Sequence, residues 1–233
     1  CGDWGRKLVR NFASCPLTAL TAVCDLVPAR LASLGQEYGV GRLGSVDALL
    51  ECGLEAVAVA TPPSSHFELA RRCLDAGLHV LIEKPMVTSS TQARVLIDLS
   101  ARQGKVLMVD HTYLFSNPVR QIKQLIEQGE LGEIEYVDSV RVNRGRFQRD
   151  VNVVWDLAVH DASIIDHVLG APARSVAAVG RGVVNRDVED DVHVHVQYHS
   201  NINAHYHVNW LSPVKERRMV WGGSRKTLIF DDL

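Results

Sequence analysis

Cys1-Gly2-Asp3-Trp4-Gly5 opens the chain, and its reading decides the fold. Gly2 and Gly5 have the spacing of the second and third glycines of a G-x-G-x-x-G dinucleotide fingerprint. In that fingerprint the second glycine admits backbone to a pyrophosphate, and the third lets the following helix pack on the sheet, with the phosphates at its N-terminus. Half a glycine motif also occurs in ordinary turns, so position has to give it weight. A helical stretch, Arg6 to Ser14, follows, and then an apolar strand from Leu17 to Cys24 that ends in Asp25. An acid about twenty residues past the glycines is where a ribose-diol acceptor belongs. The stretch predicts a nicotinamide-dinucleotide site from Gly2, Asp3, Trp4, Gly5 and Asp25, in a chain that reads as lacking the first strand of its sheet.

Outward from this turn, the first 110 residues alternate strands and helices. Strands are expected over Leu17–Cys24, Ala56–Ala60, His79–Ile82 and Val106–Val109, with helices over Ala29–Tyr38, Ser65–Ala76 and Thr91–Arg102. Near-continuous apolar strands separated by helices predict a parallel, doubly wound sheet covered on both faces. After a helix from Asn117 to about Gln128 the texture changes. Ile134–Val142, Arg174–Val184, Val192–Tyr198, Asn203–Trp210, Arg217–Trp221 and Lys226–Phe230 read as strands, with one long helix, Val153–Leu169, among them. This predicts an α+β domain with a large, mostly antiparallel open sheet. The expected division is residues 1–115 and 116–233.

Composition bounds the rest. The 233 residues are 46% hydrophobic and 22% charged, with a formal charge of -2. That balance gives no electrostatic case for nucleic acid or an anionic membrane, and no apolar run reaches membrane-spanning length. Five cysteines without a C-x-x-C pair read as small buried thiols of a reducing cytoplasm.

Three stretches carry chemistry. Glu83-Lys84-Pro85 follows a strand directly, and residues at the C-terminal ends of parallel strands face the ligand crevice. A lysine there can hydrogen-bond a substrate hydroxyl and stabilise its developing charge. Alone, the tripeptide reads equally as a solvated strand end. Asp156 and His160 are four apart and share a helix face. A carboxylate beside an imidazole orients its tautomer and favours the protonated form that a base becomes. The alternative is a capped helix N-terminus, with Asn152 or Asp156 as cap and His160 structural. Thr61-Pro62-Pro63-Ser64-Ser65-His66 is a third crevice-facing turn, where Thr61 and Pro62 face the cofactor and Ser64 or Ser65 caps the next helix.

In order along the whole chain, G-x-W-G, A-T-P-P-x-x-H, E-K-P and D-x-x-x-H resemble the glucose–fructose oxidoreductase / inositol dehydrogenase (Gfo/Idh/MocA) family. The resemblance implies a Rossmann-type domain followed by a substrate-binding and oligomerisation domain. It implies catalysis by Lys84 and by His160 with its partner Asp156. The cofactor contacts it implies are Gly2, Asp3, Trp4, Gly5, Asp25, Thr61, Pro62, His66, Glu83 and Lys84. Asp25 would accept from the ribose diol and repel a 2′-phosphate, which favours NAD over NADP, with Arg30 nearby. The stretches Gly2–Arg6, Asp150–Asp156 and Trp210–Lys215 resemble the branch that oxidises the 3-hydroxyl of UDP-N-acetylglucosamine or its uronic acid. Substrate contacts are then expected from Lys84, Arg144, Asn152, Trp155 and His160. Arg141, Arg144, Arg146 and Arg149 form either a diphosphate-binding row or a charged strand edge.

The resemblance further implies a cytoplasmic enzyme with a small sugar or nucleotide-sugar substrate, forming a dimer or tetramer through the C-terminal sheet. Other readings on the same fold are an NAD-dependent glycosidase and a non-catalytic dinucleotide-binding regulator. The chain reads as a fragment of a longer parent, stopping just after a strand. His193/His195 and His205/His207 are pairs sharing a strand face. No four-ligand set completes them at telling spacing, so they read as a face packed on another subunit, with no metal site. Glu189-Asp190-Asp191 reads as a solvated acidic turn.

Overall fold

The strand–helix alternation of the first 110 residues is realised in the computed structural model, which describes every residue except 146, 149 and 200. The chain divides between Asp110 and His111, slightly before the expected boundary. In the first unit α1 (Asp3–Ser14), β1 (Ala22–Cys24), α2 (Pro28–Tyr38), β2 (Gly41–Leu43), α3 (Val46–Leu50), β3 (Ala56–Val59), α4 (Pro63–Asp75), β4 (His79–Ile82), α5 (Ser90–Gln103) and β5 (Leu107–Val109) follow in order. Every strand pairing is parallel: β1 with β2, and β3, β4 and β5 side by side. Central β4 buries Val80 and Ile82 in a cluster with Ala70, Leu74, Leu96 and Leu99 of α4 and α5. Each such burial contributes roughly 1.5–3 kcal/mol. Pro28 at the start of α2 and Gly39 beyond its end (φ 65°) follow the usual helix punctuation.

No hydrogen bonds join β1 to β3. A cavity of about 690 Å³ lies there, lined by Ala22, Val23 and Cys24 on one side and Ala56, Val57 and Ala58 on the other. Asp25, Glu83 and Lys84 are not part of its wall, so it is a seam beside strand edges rather than the crevice at strand ends.

The second unit begins with a 3-10 turn (Thr112–Phe115) and α6 (Asn117–Glu127), then β6 (Ile134–Val142), a π-helical turn (Val154–Ala158), α7 (Val159–Leu169), and β7 (Ala173–Arg181), β8 (Asp191–Tyr198), β9 (Asn203–Asn209), β10 (Glu216–Gly223) and β11 (Thr227–Asp231). The six strands form one sheet in the order β11-β10-β6-β9-β8-β7, antiparallel except for the β6–β9 pair. Its inner face packs Val137, Tyr206 and Trp221 against Val119 and Ile122 of α6 and Ile164 and Ile165 of α7. Edge strand β7 is exposed along its whole length.

The differences from the sequence reading have local causes. The first strand begins only at Ala22, because Cys15–Thr18 form a turn and Leu17 points into solvent. Strand β2 and helix α3 escaped the reading because three- and five-residue elements are too short for periodicity to show. Strand β7 stops at Arg181 because the Asp190 carboxylate takes the amides of Val183 and Val184. Asp190 is therefore buried at the base of a loop rather than solvated. All five thiols are free, but only Cys73 is buried and Cys52 is exposed. No helix among the described residues is long and apolar enough to cross a membrane.

Candidate active site

In the first unit the chemistry gathers at the C-terminal ends of the strands. Gly2 is the N-cap of α1, and a side chain placed there would meet nothing within 4 Å, so backbone is open to a ligand. Asp3, exposed in the first turn, already complements the helix dipole. Trp4 is 43% exposed, with Lys7 Nζ 4.3 Å over its ring. Gly5 is buried against Ala60, yet an added Cβ would lie 3.8 Å from Ala60 Cβ, an ordinary contact. The packing is close without excluding alanine, which is looser than the fingerprint suggests.

Asp25, past the end of β1, turns back to the glycine turn. Its Oδ2 is 3.5 Å from Arg30 Nη1, and Val27 N donates to Oδ1 at 2.8 Å.

The Thr61–His66 turn departs from its expected roles. Helix α4 starts at Pro63, with Pro62 in the cap position and no side-chain cap. Neither serine caps it: Ser65 Oγ donates to Pro62 O (2.8 Å) and pairs with Thr61 Oγ1 (2.7 Å). His66 is fully buried. Its Nε2 lies 2.8 Å from Thr61 O and its Nδ1 2.9 Å from Pro85 O. With both ring nitrogens on backbone carbonyls, His66 ties the Thr61 turn to the Glu83-Lys84-Pro85 turn. That occupation replaces the direct cofactor contact expected of it.

Glu83 and half-buried Lys84 sit directly beyond β4, and the Lys84–Pro85 peptide is cis. The Glu83 amide continues the ladder to Val59 O, and Glu83 Oε2 accepts from Lys84 N at 3.2 Å. Asp110, at the end of neighbouring β5, brings a second carboxyl beside it. Burial and this neighbour push the Glu83 carboxyl up to about 8. Sequence reading missed Asp110; only its position directly after an apolar strand could have marked it.

In the second unit Asp156 lies in the π-helical turn and His160 in the first turn of α7. Asp156 Oδ2 accepts from Trp210 Nε1 at 3.1 Å. Half-buried His160 meets the Tyr113 ring edge-on, 5.2 Å between centroids. Asn152 takes the capping role: its Oδ1 accepts from Trp155 N (3.3 Å), and its Nδ2 donates to Glu189 Oε2 (3.0 Å). Trp155 and Arg144 are exposed.

Arg141 and Arg144 do not share a setting. Arg141 is buried on central β6, where Nε and Nη2 reach Asp161 Oδ1 at 2.9 and 2.6 Å, while Ser139 Oγ donates to Asp161 Oδ2. Burial opposes the guanidinium charge, and Asp161 overcomes it and raises the group above its ordinary value. Arg141 stacks on Tyr113 at 4.9 Å and donates to its hydroxyl at 3.1 Å. Asp161, Arg141, Tyr113 and His160 thus form one connected series, of which the sequence reading singled out Arg141 and His160. Arg146 and Arg149 lie outside the described residues.

Comparison with known proteins agrees with this architecture. Residues 1–111 match the oxidoreductase family with an NAD-binding Rossmann fold, and residues 119–229 match the GFO/IDH/MocA C-terminal domain. The UDP-N-acetylglucosamine 3-dehydrogenase of Acidithiobacillus ferrooxidans is 31% identical over 78% of this chain and 56% of its own length. The dTDP-3,4-didehydro-2,6-dideoxy-alpha-D-glucose 3-reductase of Actinomadura kijaniata is 33% identical over 81% of this chain and 60% of its own. The chain therefore spans little more than half the length of these curated relatives. The WlbA dehydrogenase of Bordetella pertussis, solved with NADH and UDP-GlcNAcA, shares the fold with a TM-score of 0.91 at 22% identity, over 99% of this chain and 71% of its own. With both of its units matched in order, this chain belongs to the GFO/IDH/MocA oxidoreductase family.

Proposed function

We propose that this protein is an NAD-dependent dehydrogenase that oxidises a sugar hydroxyl to a ketone, with carbon 3 of a UDP-N-acetylglucosamine-type nucleotide sugar as its target. The observation that carries the reading is Lys84 at the C-terminal end of central β4, in a chain 31% identical to a UDP-N-acetylglucosamine 3-dehydrogenase.

The first unit's residues fit a dinucleotide. The N-terminus of α1 presents open backbone at Gly2, and Asp25 holds a carboxylate at the end of β1. That carboxylate accepts a ribose diol and repels a 2′-phosphate, which selects NAD. Trp4, Thr61, Pro62 and Glu83 complete the contacts. When bound, the nicotinamide supplies the hydride acceptor. Lys84 hydrogen-bonds the reacting oxygen and steadies its charge. His160 takes the hydroxyl proton, with Asp156 favouring the imidazolium that results. Exposed Arg144 and Trp155 contact the sugar nucleotide, and Asn152 acts through the helix start it caps.

The test is NADH absorbance on mixing the full-length protein with NAD and UDP-N-acetylglucosamine or its uronic acid, with a keto-sugar trap present. Lys84→Met and His160→Asn should each slow turnover by roughly 10²–10⁴-fold. Tight NAD binding with no turnover of either sugar would overturn the substrate assignment.

A further inference from the structure

The antiparallel β8–β9 pair sets His193 opposite His207 and His195 opposite His205. In Val192-His193-Val194-His195-Val196 and Ala204-His205-Tyr206-His207-Val208 the alternation sends the apolar side chains inward and all four imidazoles to the outer sheet face. The two rows of this square differ. His195 and His205 meet edge-on, 4.7 Å apart and 83° between planes; His193 and His207 are stacked, 4.1 Å apart and 8°. Asp191 stands two residues before His193 on the same strand face, while Asp138, the β6 partner of His205, stands beside the other row. Among the described residues, one donor atom from each of Asp191, His193 and His207 lies within 4.8 Å of the others.

Hydrogen bonding shows what these atoms face. Asn209 Oδ1 accepts from the amides of Leu211 (3.2 Å) and Ser212 (3.0 Å), which fixes the orientation of its side-chain amide. Its Nδ2 therefore points at His207 Nε2 (3.1 Å) and Asp191 Oδ1 (3.5 Å). An NH₂ group donates only, so His207 Nε2 presents a lone pair. His207 Nε2 and Asp191 Oδ1 lie 3.4 Å apart and both accept from this one NH₂ group, and the other carboxylate oxygen is held by Arg181 Nε at 3.4 Å. A divalent ion that displaces this amide donor meets both acceptors, with a His193 nitrogen as the third ligand atom within reach. For ligand bonds of about 2.0–2.1 Å, a tetrahedral edge is about 3.4 Å, and two imidazoles with one carboxylate suit a borderline divalent ion.

We propose that Asp191, His193 and His207 form a binding site for a divalent transition-metal ion such as zinc on the outer face of the second unit's sheet, completed by water. One of the three donors is invisible in the local sequence, because β8 supplies Asp191 and His193 and the register supplies His207.

The test is isothermal titration of zinc chloride into the full-length protein, purified without a histidine tag and stripped with chelator. One zinc per chain is expected. His193→Ala and His207→Ala should each weaken it at least tenfold, whereas His195→Ala and His205→Ala, outside the Asp191 cluster, should leave it unchanged. A zinc-dependent rise in melting temperature should appear in the parent and disappear in Asp191→Asn, and the metal-free melts should coincide. Absence of zinc binding by the parent, whatever its oligomeric state, overturns the proposal. So does binding that survives in His193→Ala and His207→Ala, or that falls equally in the control pair.

Discussion

Each unit sets a carboxyl near a charged or ionisable neighbour inside the fold, and the two settings have opposite consequences. Glu83 meets another carboxyl, Asp110, and is pushed up to about 8. Asp161 meets a guanidinium, Arg141, in an ion pair with almost no solvent exposure. Burial is common to the two; the sign of the partner decides. A like partner at a strand end leaves a group that titrates near neutrality beside Lys84, the kind of poise functional sites carry. An opposite partner within hydrogen-bond distance makes a fixed ionic strut under α7, and Tyr113 connects that strut to His160.

Breaking the strut should have the largest effect. Arg141→Met leaves Asp161 buried without its cation and should destabilise the protein by about 3–5 kcal/mol, read from urea denaturation. Arg141→Met combined with Asp161→Leu should recover most of that loss. A single variant as stable as the parent would show that the pair is solvated and that the contrast with Glu83 does not hold.

The next effect is on the clamp that holds the Glu83 turn in place. His66→Ala removes the buried ring that bridges two backbone carbonyls and leaves a cavity, at roughly 2–4 kcal/mol. Denaturation of the variant and titration with NAD should both be affected, since the Thr61 and Pro85 turns lose their tie. Full stability with unchanged NAD affinity would remove His66 from the argument.

The smallest effect sharpens the carboxyl pair itself. Glu83 titrates near 4.5 when free and about 8 when folded. Between these values the folded protein holds a proton that the unfolded chain has released, so stability falls as pH rises through this window. Glu83→Gln should leave the unfolding free energy unchanged near pH 4 and raise it near pH 8.5, by at most about 1 kcal/mol at this partly exposed site, read from melting curves. Parallel melting curves across the window would contradict the pairing with Asp110.

How much was legible in advance followed the length scale of each interaction. The strand–helix alternation, the glycine turn, the acid at Asp25 and the position of Glu83-Lys84-Pro85 are local patterns, and they were readable. His66 was singled out but misassigned, because a histidine after a Pro-Pro turn looks the same whether it meets a ligand or two backbone carbonyls. Arg141 was read as available to a ligand, because nothing nearby in sequence announces an acid twenty residues away. Helix capping was put on Ser64 or Ser65, whereas two prolines already preset that helix start.

The sequence by itself determined the order of the elements and which residue types stand at strand ends, since periodicity and turn chemistry act over a few neighbours. Only the tertiary structure decided which of those groups became partners. Strand register set His207 opposite His193, parallel pairing set Asp110 beside Glu83, and the packing of α7 on β6 set Asp161 against Arg141. These pairings depend on contacts between residues far apart in the chain. Their chemistry follows from the dielectric and the partner found there, which no local stretch contains.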